Sequence, residues 1–151
     1  QSRIYRFVIL KVGQREEAED LTHQVFLSAW QNIKNYKHQG FPFSSWLYRI
    51  ARNQVIDYYR TSKEKVAIEQ VDPNYFAVPA NMNFKIDNNL ALEKVVQGIG
   101  QLKPEYQDII ILRFVEELSL KETAELLQKT EGAIKLIQHR AIKKLKELLL
   151  S

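Results

Sequence analysis

The chain is predicted to be all-α, with two small helical domains joined by an irregular linker. Three observations lead there. Apolar residues recur at three- and four-residue steps over most of the chain, and no strand candidate stands out. Glycine and proline, which punctuate turn-rich folds, number only 5 and 4 in 151 residues. The periodicity lapses once, from about Thr61 to Ile86, so the chain divides into residues 1–62, a linker over 63–87, and residues 88–151. Each cluster holds about sixty residues, near the lower size limit for independent folding.

The elements follow in order. Ile4, Phe7, Val8, Leu10 and Val12 keep helical spacing up to Gly13, a plausible stop. In REEAEDLTHQVFLSAWQNIKNY, the residues Ala18, Leu21, Val25, Ala29, Ile33 and Tyr36 form one stripe. Glu16, Glu17, Glu19 and Asp20 crowd the first turns of that helix, where they suit the positive end of its dipole. Gly40 and Pro42 break the pattern, and Ser44 or Ser45 is expected to cap a third helix, SWLYRIARNQVIDYYR.

The linker holds two of the prolines, yet Tyr75, Phe76 and Phe84 make it more apolar than a passive tether, so it either packs on its own domains or docks on a partner. NNLALEKVVQGIGQL resumes the helical pattern. Pro104 suits the first position of PEYQDIIILRFVEEL, where its missing N–H costs nothing. Ser119 with Glu122 forms a capping box for a helix whose apolar face is Leu120, Ala124 and Leu127. Thr130 is expected to cap the last helix, with a buried seam of Ile134, Ile137, Ala141, Leu145 and Leu148.

Composition narrows the function. With no cysteine there is no disulfide, thiolate nucleophile or Cys-based zinc site, which fits an intracellular protein. No run of about 18 apolar residues offers a membrane span, and no signal-peptide pattern opens the chain. The net charge of +4 is unevenly spread: 11 basic against 6 acidic residues over 1–65, and 7 against 4 over 121–151, flank a neutral-to-acidic middle. Two basic ends suggest two polyanion-facing surfaces, although ordinary solvated cations give the same count. Enzyme signatures are lacking. His23, His38 and His139 show no metal-ligand spacing, and there is no phosphate-binding glycine loop or nucleophile elbow. Catalytic residues, cofactors and metals are therefore not expected.

Residues 119–148 read as two helices with a short break, the pattern of a helix-turn-helix as well as of a plain helical hairpin. Glu131, Lys135, Leu136, His139, Arg140 and Lys143 lie away from the seam of the second helix, and Thr130 with the first-turn amides offers a phosphate seat. On the third helix Arg49, Arg52, Asn53 and Arg60 recur on one side with Tyr48, Tyr58 and Tyr59 interleaved, which suits single-stranded or opened DNA. Trp46, Leu47, Ile50, Ala51 and Val55 read rather as core.

EEAEDLTHQVFLSAW, then FSSWLYRIARNQVIDYYR, then LSLKETAELLQKTEGAIKLIQHRAIKKL resemble, in that order, a bacterial RNA polymerase sigma factor of the extracytoplasmic-function group of the sigma-70 family. The resemblance covers about 1–62 and 88–149. It implies a cytoplasmic, non-enzymatic transcription initiation factor that binds core RNA polymerase and promoter DNA. Asp20, Leu21, Thr22, Gln24, Val25 and Phe26 would fall on the polymerase-binding surface. Lys37, His38, Gln39 and Phe41, with Trp46, Arg49, Arg52, Asn53 and Arg60, would recognise and open the minus-ten element. Thr130, Glu131, Lys135, Leu136, His139, Arg140 and Lys143 would lie on the helix that reads the minus-thirty-five element. An anti-sigma factor, common in the group, would have to cover the polymerase-binding helix. The family also implies about one further helix ahead of Gln1.

The departures are informative. The usual Gln-Glu before Val-Phe is here His23–Gln24, and the usual turn glycine is Gln128, so a residue with a side chain must hold that backbone position. Leu136 replaces a polar residue and could meet a thymine methyl. A stand-alone helix-turn-helix regulator, a protein that sequesters polymerase and a nuclease remain as rival readings. The first would leave AEDLTHQVF without a task.

Overall fold

The structure is a computed structural model and describes residues 2–36, 42–68 and 90–150. They form two units, one holding α1 to α3 and the other α4 to α7, with no strand among the described residues.

In the first unit α1 spans Ser2–Val12 and stops at Gly13, whose φ of 74° is left-handed and available to glycine without a Cβ penalty. The Gly13 N–H donates to the Ile9 carbonyl at 2.8 Å, closing the helix end. α2 spans Arg15–Gln31 with Glu16 and Glu17 in its first turn, as the acidic run predicts. Its buried stripe is Ala18, Leu21, Val25 and Ala29, and it stops there. The helix ends at Gln31, a short 3-10 turn covers Ile33–Asn35, and the expected seam member Ile33 is exposed instead. Asn32 makes the difference: its backbone N–H and its side-chain amide both donate to the Ser28 carbonyl, capping the last turn.

α3 spans Phe43–Ile68, which corrects both expected ends. Ser44 and Ser45 lie inside the helix, and the Ser45 N–H already bonds the Pro42 carbonyl. At the other end the helix passes Thr61, because no glycine or proline occurs before Pro73 and Lys63, Glu64 and Lys65 are good helix formers. Tyr48, Ala51 and Val55 bury α3 against α1 and α2, with the Tyr48 ring edge-on to Phe7 at 5.7 Å. The Tyr59 hydroxyl donates to the Lys11 carbonyl, tying α3 to the end of α1.

In the second unit α4 spans Leu90–Gln101 and α5 spans Pro104–Ile110, with Pro104 at the start as expected. The buried Gln107 amide donates to the Ile99 carbonyl at 3.0 Å and so satisfies the end of α4 from the next helix. α5 does not run on to Leu118. One π turn follows over Ile111–Val115, where the Glu116 N–H reaches five residues back to the Ile111 carbonyl at 2.8 Å. Glu117 then takes a left-handed φ of 58° and ends the element. α6 spans Leu120–Leu127 and packs on α7 and the π turn, and α7 spans Glu131–Leu150 and packs on α5, while α4 closes on the far half of α7. There Gly98 lies so near α7 that a Cβ on it would come within 2.8 Å of a Leu145 methyl. No helix among the described residues is long and apolar enough to cross a membrane.

Candidate functional site

α6 and α7 build a helix-turn-helix from local bonds. Ser119 Oγ accepts the Glu122 N–H at 3.0 Å and Glu122 Oε1 accepts the Ser119 N–H at 3.2 Å, so the capping box is complete. The turn is a Schellman motif: the Lys129 N–H reaches Ala124 O at 2.9 Å and the Gln128 N–H reaches Glu125 O at 3.2 Å. Gln128 holds the left-handed position at φ 55°, ψ 47°, where glycine is usual. Lys129 Nζ lies 3.4 Å from Glu105 Oε1, linking the turn to α5. Thr130 Oγ1 accepts the Ala133 N–H at 3.1 Å, so its hydroxyl caps α7 as predicted.

α7 then divides cleanly. Ile134 and Ala141 are buried and Ile137, Leu145 and Leu148 half-buried, which is the expected seam. Thr130, Glu131, Lys135, Leu136, His139, Arg140 and Lys143 are all exposed, so the candidate duplex-reading set shares one open face. Leu136 is 51% exposed among those polar neighbours. Arg113 braces the helix from behind: its Nε donates to Gln138 Oε1 at 3.1 Å and its Nη1 to the Leu118 carbonyl at 2.6 Å. Sequence reading missed this brace, which joins residues 25 positions apart.

In the first unit α2 presents two faces. Leu21 and Val25, two of the expected polymerase-binding residues, are 6% and 0% exposed and fill the core of the unit. Thr22 and Phe26 are half-buried flanks, and the Thr22 hydroxyl is turned back onto the Ala18 carbonyl at 2.6 Å. Asp20, His23 and Gln24 are exposed opposite the seam, and with them stand Leu27 at 48% and Trp30 at 79% exposure. Leu27 and Trp30 were not singled out from the sequence. Their spacing from His23, four and seven residues on, is a second stripe that could have revealed them.

Lys37, His38, Gln39 and Phe41 lie outside the described residues, as does all of the linker beyond Ile68. On either side of 37–41, Tyr36, Phe43 and Trp46 form a three-ring cluster, with centroids 5.1 Å apart for Tyr36 with each partner and 5.3 Å for Phe43 with Trp46. Trp46 is therefore half-buried between rings rather than a bare stacking platform. Along α3, Arg49 and Arg52 are half-buried while Asn53 and Arg60 are exposed on the same side. Arg60 pairs with Asp57 at 3.1 Å.

Comparison with known proteins gives two family matches: Sigma-70 region 2 over residues 1–65, and Sigma-70, region 4 over residues 98–147. The chain is 36% identical to the ECF RNA polymerase sigma factor BldN of Streptomyces coelicolor, covering 97% of this chain but only 56% of that protein. It is 32% identical to the ECF RNA polymerase sigma factor SigW of Bacillus subtilis, covering 99% of this chain and 84% of that one. Among solved structures it shares its fold with the sigma factor RpoE of Bartonella quintana, solved with the anti-sigma factor NepR, at a TM-score of 0.79 and 24% identity over 97% of this chain and 89% of that one. CnrH, solved with the cytosolic domain of CnrY, matches at a TM-score of 0.71 and 22% identity, over 98% of this chain and 80% of that one.

Proposed function

This chain belongs to the ECF group of sigma-70 RNA polymerase sigma factors, and from that premise we propose that it acts without catalysis, binding core polymerase and directing it to promoters with two contacts at once. The outward face of α2, with Asp20, His23, Gln24, Leu27 and Trp30, is the polymerase-binding surface. α7 reads the minus-thirty-five element as duplex through Lys135, Leu136, His139 and Arg140. α3 and residues 37–41 capture the minus-ten element as it opens. A protein with this task works in the cytoplasm, beside polymerase.

One observation carries the reading. α2 buries one stripe in its own unit and exposes Leu27 and Trp30 on the other side, at 48% and 79%. An indole left in water on a helix face fits a protein partner, since aromatic anchors dominate interface energetics. A stand-alone duplex-binding regulator has no use for that face. RpoE was solved with an anti-sigma factor, and a partner of that kind would compete with polymerase for this face by covering it.

The decisive experiment mixes the full chain with purified core polymerase on a randomised promoter pool. Initiated transcripts sharing two spaced elements are expected. No initiated transcript, with folded protein and active core, rejects the proposal.

A further inference from the structure

The open side of α3 holds one aliphatic residue in polar surroundings. Arg49, Arg52, Asn53, Ile56 and Arg60 fall within about 100° of arc, counting 3.6 residues per turn, and turn away from the seam of Tyr48, Ala51 and Val55. Ile56 is 43% exposed at the centre of that arc. A β-branched side chain in a helix keeps essentially one rotamer, so Ile56 is a rigid apolar knob on the side of α3 that carries Arg49, Arg52 and Arg60, the last paired with Asp57.

A single exposed aliphatic residue needs no explanation by itself. Here the pattern recurs. On α7, in the other unit, Leu136 stands 51% exposed between Lys135, His139 and Arg140. Each unit thus sets one branched aliphatic side chain in a face whose cations suit a polyanion. Among the groups DNA offers at its base edges, the thymine C5 methyl is the apolar one. We infer that Ile56 is a specificity residue of α3 that packs on the 5-methyl group of a thymine in the downstream promoter element. The inference rests on the sigma reading above and adds a base preference to it. The flanking arginines hold the phosphates without choosing sequence, and the methyl contact supplies choice where they cannot.

The test replaces thymines by uracil one at a time in a promoter selected from the pool by wild-type holoenzyme. Uracil removes the methyl group and leaves base pairing intact. Wild-type chain is expected to initiate about two- to fivefold less at one downstream position, the worth of one methyl leaving an apolar contact. Ile56→Ala should initiate at the uracil level on both templates, and Ile56→Val should keep part of the difference. Circular dichroism and a thermal melt show that the variants fold. Wild-type initiation that is indifferent to every downstream methyl overturns this inference alone, as does an Ile56→Ala chain that keeps the full methyl difference. Absence of initiation on any template overturns the sigma reading and this inference with it.

Discussion

Gln128 and Glu117 each hold a positive φ, 55° and 58°, that a side chain with a Cβ adopts at a cost of about 1–2 kcal/mol. Glycine removes that strain and loses about 0.5–1 kcal/mol of it again to its own flexibility when unfolded. Gln128→Gly and Glu117→Gly are therefore each expected to stabilise the second unit by about 0.5–1 kcal/mol, seen as a rise of a few degrees in Tm. A lower Tm for either variant would show that the native side chain makes compensating contacts. The Gln128 position was legible only through the resemblance to the family, which implies a glycine at that turn. Glu117 was not, since nothing local distinguishes a helix that ends in a π turn from one that continues. Gly132 makes the opposite case: a Cβ there meets nothing within 4 Å. Gly132→Ala should gain about 0.4–1 kcal/mol in a thermal melt by restricting the unfolded chain.

At the scale of elements, α2 shows where two ways of reading one stretch part. Leu21 and Val25 belong to both the apolar stripe and the motif shared with the family, and burial decides for the stripe. The proposed function therefore sets the polymerase contact on the opposite side. Trp30→Ala is expected to weaken core polymerase binding by about 2 kcal/mol or more, roughly thirtyfold, as for a buried aromatic anchor. The same variant should leave the melting curve within about 0.5 kcal/mol of wild type, since Trp30 is 79% exposed in the free chain. A matched loss of stability and binding would mean that the indole supports the fold instead. On α7, Lys135→Ala and Arg140→Ala should each weaken selection of the upstream element by about 1–3 kcal/mol per lost base contact. Unchanged upstream preference in reselected promoters would remove both from the reading face.

For the whole chain, the +4 charge matters through its distribution rather than its size. Lys143, Lys144, Lys146 and Arg60 are exposed cations beside the proposed base-reading residues. On the proposed function, phosphate contacts from these cations are expected to make promoter binding salt-dependent without adding sequence choice. Lys143→Ala is expected to weaken holoenzyme binding to all promoters alike and to lower the slope of log affinity against log salt by about 1. A sequence-dependent loss would assign Lys143 to base reading.

Much of this protein was decided within single stretches of sequence. The all-α class, the starts of α5, α6 and α7 and the seams of α2 and α7 follow from capping residues and apolar spacing, because a helix satisfies its own backbone within four residues. Other features needed the tertiary structure, because they join residues that no local rule connects. Tyr59 bonds the Lys11 carbonyl 48 positions away, Arg113 ties the π turn to Gln138, and Tyr36 meets Phe43 and Trp46 across the segment between them. Packing also chose which side of α2 faces water: a stripe of small and branched residues, Ala18, Leu21, Val25 and Ala29, fits closely against α1 and α3, and that fit leaves the bulky Trp30 outside.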